Sequence, residues 1–487
     1  QGFGGSEAPV PLFRPRTPCN ACAGWLWAAW DFLMAAAGSL RAKALKGSAV
    51  LGGGAVAAAY YSRIPSDQTS LGATWSEGIL GRCYRSFAAP IVFQTDPEFA
   101  HSATLYAGRA YQALRLLGEP SWTGASPVDW LLRPNSSAVP DSGPKLNQEL
   151  FGGKLAFATP FGIAAGFDKN AVLVPMYRIH AIPGLGFSEI GSVSALPSAG
   201  NPKPRCFRLV KDQAVINRMG LGNEGSEAIA ERLKSFTDLG SATSPPASGQ
   251  PRAPVGVNIA KTHSPDIMGD AAVEDFVTSY ERTAAYADFV VINVSCPNTA
   301  EGKTFEDREA LSGLLRRIGE VRSRMQSKAP VLVKLSPPLD TPEGRGRLGE
   351  MVQVAQASGI VDGYVITNTV GDRDIKLSEE GVEQAAEAGK GGLSGKPIRA
   401  RSTAAVREVY RLTGGSVPII GLGGVDSAET AYEKIRAGAS LVEVYTGIIY
   451  KGPTLFSDMQ VGLRRLLERD GFSSVSEAVG ADVRGKA

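Results

Sequence analysis

The chain has 487 residues, 43% of them hydrophobic and 20% charged, with a formal net charge of +3. That composition allows a large buried core, and the near balance of charge leaves no electrostatic footprint for nucleic acid. Five cysteines (Cys19, Cys22, Cys83, Cys206 and Cys296) are scattered and odd in number, which argues against a disulfide framework. Cys19-Asn-Ala-Cys22 lacks the second pair or nearby histidines that a zinc site requires, so no metal is expected.

Residues 1–46 carry Arg14, Arg16, Arg41, Lys43 and Lys46 against only Glu7 and Asp31. This basic, acid-poor character suits an organelle-targeting leader. Residues 47–63 follow as an uncharged run of Gly, Ala and Val that ends in Tyr60, Tyr61 and Arg63. The run is shorter than the roughly 20 residues of a comfortable span, yet its end resembles an interfacial girdle. A single membrane anchor is expected there, with a discarded leader as the alternative.

Residues 74–118 read as a helical cap. Trp75, Ile79, Leu80, Tyr84 and Phe87 recur at helical spacing, and Phe99, Ala103, Leu105, Ala107 and Tyr111 do so after Asp96-Pro97. The apolar face so formed needs a cover, either membrane lipid or the main domain. Ser136–Pro144 reads as a linker, and Ser235–Pro254 as a flexible insertion.

Over residues 150–485 apolar strands alternate with helices. Strands are expected at Gly162–Gly166, Phe187–Val193, Val255–Ile259, Phe289–Val294, Val331–Leu335, Tyr364–Thr367, Val417–Gly421 and Leu441–Tyr445. Helical patterns lie between most of them, among them Glu274–Ala287, Arg308–Met325, Arg345–Ala357, Arg401–Leu412 and Ala428–Ala437. Strands apolar on both faces belong to a parallel sheet covered by helices, and eight of them suit a closed α/β (TIM) barrel.

Polar residues gather where those strands end, which is where such a barrel carries its site. Lys169, Ser192, Asn258, Asn293, Asn298, Lys334, Thr367, Asn368, Thr369, Tyr445 and Thr446 all fall at or just beyond strand ends. The glycines of Gly391-Gly-Leu-Ser-Gly395 and Gly421-Leu-Gly-Gly424 allow backbone N–H groups to approach a phosphate. A Gly-x-Gly-x-x-Gly fingerprint after an N-terminal strand is absent, which favours a mononucleotide over a dinucleotide. Asn217, Asn293, Asn298 and Asn368 offer paired donors and acceptors that suit a planar ring with amide edges. Lys169 supplies a cation for a carboxylate. Lys334 either stabilises charge on a reduced ring or pairs with a neighbouring carboxylate.

From about Thr74 to Val483 the chain resembles the dihydroorotate dehydrogenase family. The resemblance rests on Ile163-Ala-Ala-Gly-Phe-Asp-Lys169, Glu189-Ile-Gly-Ser192, Asn201-Pro-Lys-Pro-Arg205, Ala214-Val-Ile-Asn-Arg218, Asn293–Asn298 and Gly391–Gly395, all in order. It implies bound FMN, with oxidation of dihydroorotate to orotate in pyrimidine biosynthesis. FMN would be held by Ala165, Gly166, Ser192, Asn258, Asn293, Lys334, Thr367, Ser394, Gly395, Gly423, Gly424, Tyr445 and Thr446. The pyrimidine would be held by Lys169, Asn217, Arg218, Met219, Gly220, Leu221, Asn293, Asn298, Asn368 and Thr369. The cap resembles that of the family's membrane class, which passes electrons to ubiquinone. That similarity sets His101, Arg208 and Tyr445 at the inner end of a quinone tunnel.

One departure stands out. Cys296 occupies the position of the catalytic base, where the membrane class has serine and the soluble class cysteine. A thiol, with a reference pKa near 8.5, ionises far more readily than a hydroxyl. Met219-Gly-Leu221 also stands where aromatics are expected in animal relatives. The alternatives are a soluble-class enzyme using an acceptor such as fumarate, and a barrel without catalysis whose cap binds a membrane partner. The leader and the quinone together point to the mitochondrial inner membrane, ahead of a plastid.

Overall fold

The computed structural model describes Gly81 and residues 84–116, 143–178, 180–238, 252–295, 305–338 and 341–485. The expected leader, the anchor at 47–63, the start of the cap before Gly81, and the site residues Cys296 and Asn298 lie outside the described residues.

Eight parallel strands close into a barrel: β1 (Phe161–Ile163), β2 (Phe187–Val193), β3 (Val255–Ile259), β4 (Phe289–Asn293), β5 (Val331–Leu335), β6 (Gly363–Ile366), β7 (Ile419–Leu422) and β8 (Leu441–Val444). Each expected strand is present, shifted by at most two or three residues at its ends. Strands β3, β4 and β5 are buried at every position. Their outward side chains lie under helices and their inward ones fill the barrel, which is why the sequence shows unbroken apolar runs. The five expected helices are found at Gly269–Thr283, Arg308–Arg324, Pro342–Ala357, Arg399–Thr413 and Ala428–Ala437. Asp307 starts the second by accepting from Glu309 N and Ala310 N, and Ser427 and Thr430 form a reciprocal cap on the last.

The lower half of the barrel is solid. Phe187 and Phe289 are fully buried within it, in one cluster with Val291, Leu332, Val365, Ile420 and Leu441. Two glycines make room for the rings: a Cβ on Gly162 would lie 2.4 Å from Phe187, and one on Gly256 would lie 2.2 Å from Phe289. An antiparallel hairpin, Gln148–Leu150 with Leu155–Phe157, brings Phe151 and Phe157 against the same cluster. With this end plugged, a cavity can form only toward the C-terminal ends of the strands.

Above that end sits a small antiparallel sheet of Cys206–Leu209, Ala214–Asn217 and Gly392–Gly395. The glycine stretch expected as a turn is therefore mostly strand, with Gly392 opposite Asn217 and Gly395 opposite Ala214. The expected insertion also begins later than expected, because Ser235–Asp238 complete a helix that starts at Ser226.

The described part of the cap is a π-helical turn at Tyr84–Ala88, a short helix at Ala89–Val92 and a long helix at Pro97–Leu116. Leu105 and Tyr111 turn inward against the core. Glu98 forms a two-pronged pair with Arg205, with Nε to Oε1 at 3.0 Å and a second guanidinium nitrogen to Oε2 at 3.0 Å. Tyr84 Oη donates to Ile449 O and Arg85 to Lys451 O, joining the cap to the short helix Thr446–Lys451. Phe87 and Ile91 point away from the barrel, 70% and 64% exposed.

Candidate active site

A cavity of about 630 Å³ fills the space between the strand ends, the small sheet and the cap. Its size falls within the usual range for cofactor and substrate sites. Ala165, Gly166, Lys169, Ser192, Asn217, Met219, Gly220, Leu221, Asn293, Lys334, Thr367, Asn368, Thr369, Ser394, Gly395, Gly423, Gly424, Tyr445 and Thr446 all line it, as do His101 and Arg208 from the tunnel set. Residues more than 300 positions apart in sequence thus share one mouth, because parallel strands deliver their C-terminal ends to the same side.

The floor is a continuous polar network. Lys334 Nζ donates to Glu189 Oε1 at 2.9 Å, and Asn258 Nδ2 donates to the same oxygen at 2.7 Å. Lys334 therefore lines the cavity and has the carboxylate partner of the second reading. Asn293 Nδ2 donates to Asn258 Oδ1 at 3.2 Å and to Ser192 Oγ at 3.1 Å. Asn368 Nδ2 donates to Ser295 O at 3.0 Å and Ser295 Oγ at 3.1 Å. The pairing of β4 with β5 sets Asn293 directly opposite Lys334. Neutral amides locked by their neighbours present fixed donors and acceptors to whatever lies above them.

Two expected contacts stand elsewhere. Arg218 does not line the cavity: its guanidinium lies 4.8 Å from the centre of the Phe207 ring and donates to Ala388 O, Lys390 O and Pro204 O. Neighbouring side chains of an extended segment face opposite ways, so Asn217 turns in and Arg218 turns out. Asn258 is fully buried one layer beneath the cavity and reaches it through Asn293.

One rim bears a glycine cradle. Gly395, Gly423 and Gly424 have φ of 101°, 116° and 72°. A Cβ would fall 2.3 Å from Gln213 O at Gly395 and 2.6 Å from Arg399 Cβ at Gly424. No side chain fits there, so the backbone is left bare toward the cavity. Ser394 Oγ and Thr446 Oγ1, 2.8 Å apart, add hydroxyls on the same side. Deeper in, Thr367 Oγ1 is buried without a hydrogen-bond partner in the described protein. A glycine cradle with two hydroxyls beside it, the unpartnered Thr367 hydroxyl and a buried lysine among the lining residues fit FMN.

The cap side differs in character. His101 packs edge-on against Phe167 at 5.3 Å, and Phe167 lies 6.4 Å from Tyr445. Burial, helped by the Lys169 charge, lowers the His101 pKa to about 4, so the ring is neutral at ordinary pH. Arg208 donates to Thr95 O at 2.8 Å and lies 5.2 Å from the centre of the Phe93 ring. Lys169 is pushed down to about 8 by burial and by the Arg205 charge.

Among the lining residues not singled out in the sequence are Glu98, Cys206 and Glu443. Cys206 is a half-buried free thiol, raised to about 11 by burial. Glu443 is fully buried on β8. Its one detectable signal was a lone carboxylate inside the apolar run Leu441–Tyr445. Among the described residues no cluster could hold a metal ion.

Comparison with known proteins agrees with this geometry. The family model described as dihydroorotate dehydrogenase matches residues 145–467. A dihydroorotate dehydrogenase (quinone) from Natronomonas pharaonis is 39% identical over 396 residues, covering 81% of this chain and 98% of the relative. The mitochondrial dihydroorotate dehydrogenase (quinone) of Arabidopsis thaliana is 42% identical over 359 residues, covering 70% and 73%. A crystal structure of DHODH from Eimeria tenella in complex with ferulenol superposes with a TM-score of 0.65 at 31% identity, covering 80% of this chain and 96% of that one.

The expected mitochondrial inner-membrane address is not supported. Most of the similar proteins are bacterial or archaeal quinone enzymes. No described helix is long and apolar enough to cross a membrane. The matched span, the barrel and the cavity agree, and the chain belongs to the dihydroorotate dehydrogenase family.

Proposed function

We propose that the protein oxidises (S)-dihydroorotate to orotate with FMN as its cofactor and a quinone as its electron acceptor. The observation that carries this is a single cavity with an amide-lined floor, a glycine cradle at one rim and an aromatic, cap-covered side. Relatives named as quinone enzymes cover nearly the whole of their own length in the match, which favours quinone over fumarate.

FMN, when bound, supplies a two-electron acceptor for the hydride of the substrate C6 and a route for those electrons to the quinone. The chain's own residues do the rest. Gly395, Gly423 and Gly424, with Ser394 and Thr446, hold the phosphate. Ala165, Gly166, Ser192, Thr367 and Tyr445 would bound the ring, with Asn258 acting through Asn293. Lys334 would stabilise negative charge gained by the flavin on reduction.

Asn217, Asn293, Asn298 and Asn368, with Thr369 and the backbone of Met219, Gly220 and Leu221, match the imide and amide edges of the pyrimidine. Lys169 pairs with its carboxylate. Cys296, as the thiolate, takes the C5 proton onto Sγ. His101 and Arg208, with Tyr445, stand at the inner end of the quinone path. The cap's outward Phe87, Ile91, Phe99 and Tyr106, all exposed, rest on lipid, from which an apolar quinone enters.

An absorbance spectrum of the purified protein tests the reading. It should show a flavin band that bleaches on adding dihydroorotate and returns with a short-tailed quinone but not with fumarate. A colourless protein, or a band that dihydroorotate leaves unchanged, overturns it.

A further inference from the structure

Lys434, on the helix Ala428–Ala437, is fully buried. Lysine is rarely withdrawn so far from water unless a carboxylate is paired with it. Its stem runs along strand β7 at Gly421, where a Cβ would lie 3.3 Å from Lys434 Cδ. Nζ ends between two hydroxyls of the helix Arg399–Thr413, donating to Ser402 Oγ at 3.0 Å and to Thr403 Oγ1 at 3.1 Å. Both acceptors are uncharged, and they match the two N–H bonds of a neutral amine. Among the described residues the charged groups acting on it are Glu433, exposed on the same helix, and Arg399. Arg399 is already engaged, with Asp426 Oδ1 at 2.8 Å and Gly424 O at 2.8 Å. Glu443 on the neighbouring β8 turns the other way, into the barrel with Glu189 and Lys334.

Ser402 links this lysine to the glycine rim. Its Oγ donates to Leu422 O, and a Cβ on Gly423 would lie 2.9 Å from the same oxygen. Gly423 and Gly424 line the cavity. One hydroxyl therefore stands between the amine and the back of the turn whose front bounds the cavity. An anion held at that front supplies, from across the turn, the negative charge that Lys434 lacks within the protein.

We propose that Lys434 is the buried counter-charge to the cofactor phosphate: uncharged in the flavin-free protein on the alkaline side of neutrality, it takes a proton from water onto Nζ when the phosphate enters the glycine cradle, so that flavin binding is coupled to proton uptake. This rests on the FMN reading above. Lys434 contacts neither flavin nor pyrimidine in this role and takes no part in the redox step. Burial draws its pKa down to about 7, with Glu433 working weakly against that and Arg399 adding to it. The sign follows. The empty site loses its proton as pH rises through that value, whereas the bound phosphate favours the ammonium, so FMN affinity falls as pH rises above about 7.

The test dilutes the flavin-loaded full chain at several pH values above neutrality and reads free FMN from the fluorescence it regains on release. A phosphate monoester has its second pKa near about 6, so its own titration is already complete there. The wild-type dissociation constant should rise by up to about tenfold per pH unit. Lys434→Met, which keeps the stem without the amine, should hold FMN about tenfold or more weakly near neutrality and show no such rise. Lys396→Met, at a half-buried lysine that lines the same cavity, should keep the rise. A rise that survives in Lys434→Met, or that vanishes in Lys396→Met, assigns the titration elsewhere and overturns the proposal. If Lys434→Met fails to fold, the wild type decides: release of FMN on the alkaline side should free a proton, seen with an indicator dye in weak buffer. A dissociation constant independent of pH, with no proton freed, sinks the idea. Protein that holds no flavin fails earlier, at the cofactor reading, and takes the proposal with it.

Discussion

Glu98 on the long cap helix and Arg205 at the edge of the small sheet meet through two parallel hydrogen bonds of 3.0 Å each, and this pair fastens the cap over the cavity. Lys203 adds a second positive group 3.4 Å from Glu98. Burial works against the charge on Glu98, but Arg205 and Lys203 together hold its pKa below the ordinary value. Such a carboxylate stabilises the folded state above its unfolded pKa, and the contribution is lost as pH falls through the folded value.

Glu98→Ala should therefore loosen the cap, and it also withdraws a negative charge that supports the Lys169 cation. A charge-assisted pair of this kind contributes about 1.5 kcal/mol, so quinone KM should rise by up to about tenfold. Steady-state kinetics with a quinone analogue should show that rise, while kcat/KM for dihydroorotate with a small soluble acceptor should change much less at acidic pH, where Lys169 keeps its charge with or without Glu98.

Lys169 makes a prediction about pH. Its pKa of about 8 in the free protein means that the cation is lost as pH rises through that value. If the lysine holds the substrate carboxylate, kcat/KM for dihydroorotate should fall on the alkaline side of about 8, and Lys169→Met should remove that limb. The substitution should also lower kcat/KM by roughly 10- to 100-fold, the measure of one hydrogen-bonded charge pair. An alkaline limb that survives in Lys169→Met would assign it to another group.

Cys296 predicts a shift in the opposite limb. A thiol base with a reference pKa near 8.5 should be active at lower pH than a hydroxyl in the same place. Cys296→Ser should displace the acid limb of the kcat profile upward, and Cys296→Ala should lower kcat by about 10² to 10⁴, the usual contribution of a general base. An unaltered profile in Cys296→Ser would remove this residue from the proton transfer.

The plugged end of the barrel predicts a stability effect separable from activity. Phe187 is fully buried and packs edge-on against Phe157 at 5.6 Å. Phe187→Ala should cost about 3–5 kcal/mol in urea denaturation, the usual price of deleting a core aromatic. Gly162→Ala should also destabilise, because its Cβ would enter the Phe187 ring.

Much of this was legible in the sequence for a simple reason. A strand covered on both faces must be apolar throughout, so Val255–Ile259 and Val331–Leu335 announce themselves, and any Asn or Lys within such a run is conspicuous. What escaped depends on pairing between distant segments. Gly392–Gly395 has too little side chain to show a period, and it becomes a strand only by lying beside Ala214–Asn217. Arg218 was grouped with Asn217 because the two are adjacent, whereas an extended backbone sends them to opposite sides. Glu443 drew no attention within the apolar run Leu441–Tyr445, since nothing local shows that β8 closes against β1.

The short helix Thr446–Lys451 has a consequence for how the molecule ages. Its first residue stands at the rim proposed to hold the phosphate, while its last turn receives Tyr84 and Arg85 from the cap. Six residues thus serve as a common mount for the parts that grip the cofactor and the parts that admit the quinone. If the proposed rim holds the cofactor, a molecule that sheds it should slacken that mount, and its lid should work loose with it. Inactivation in storage should then open the apolar interior to solvent, so that clumping follows the loss of colour.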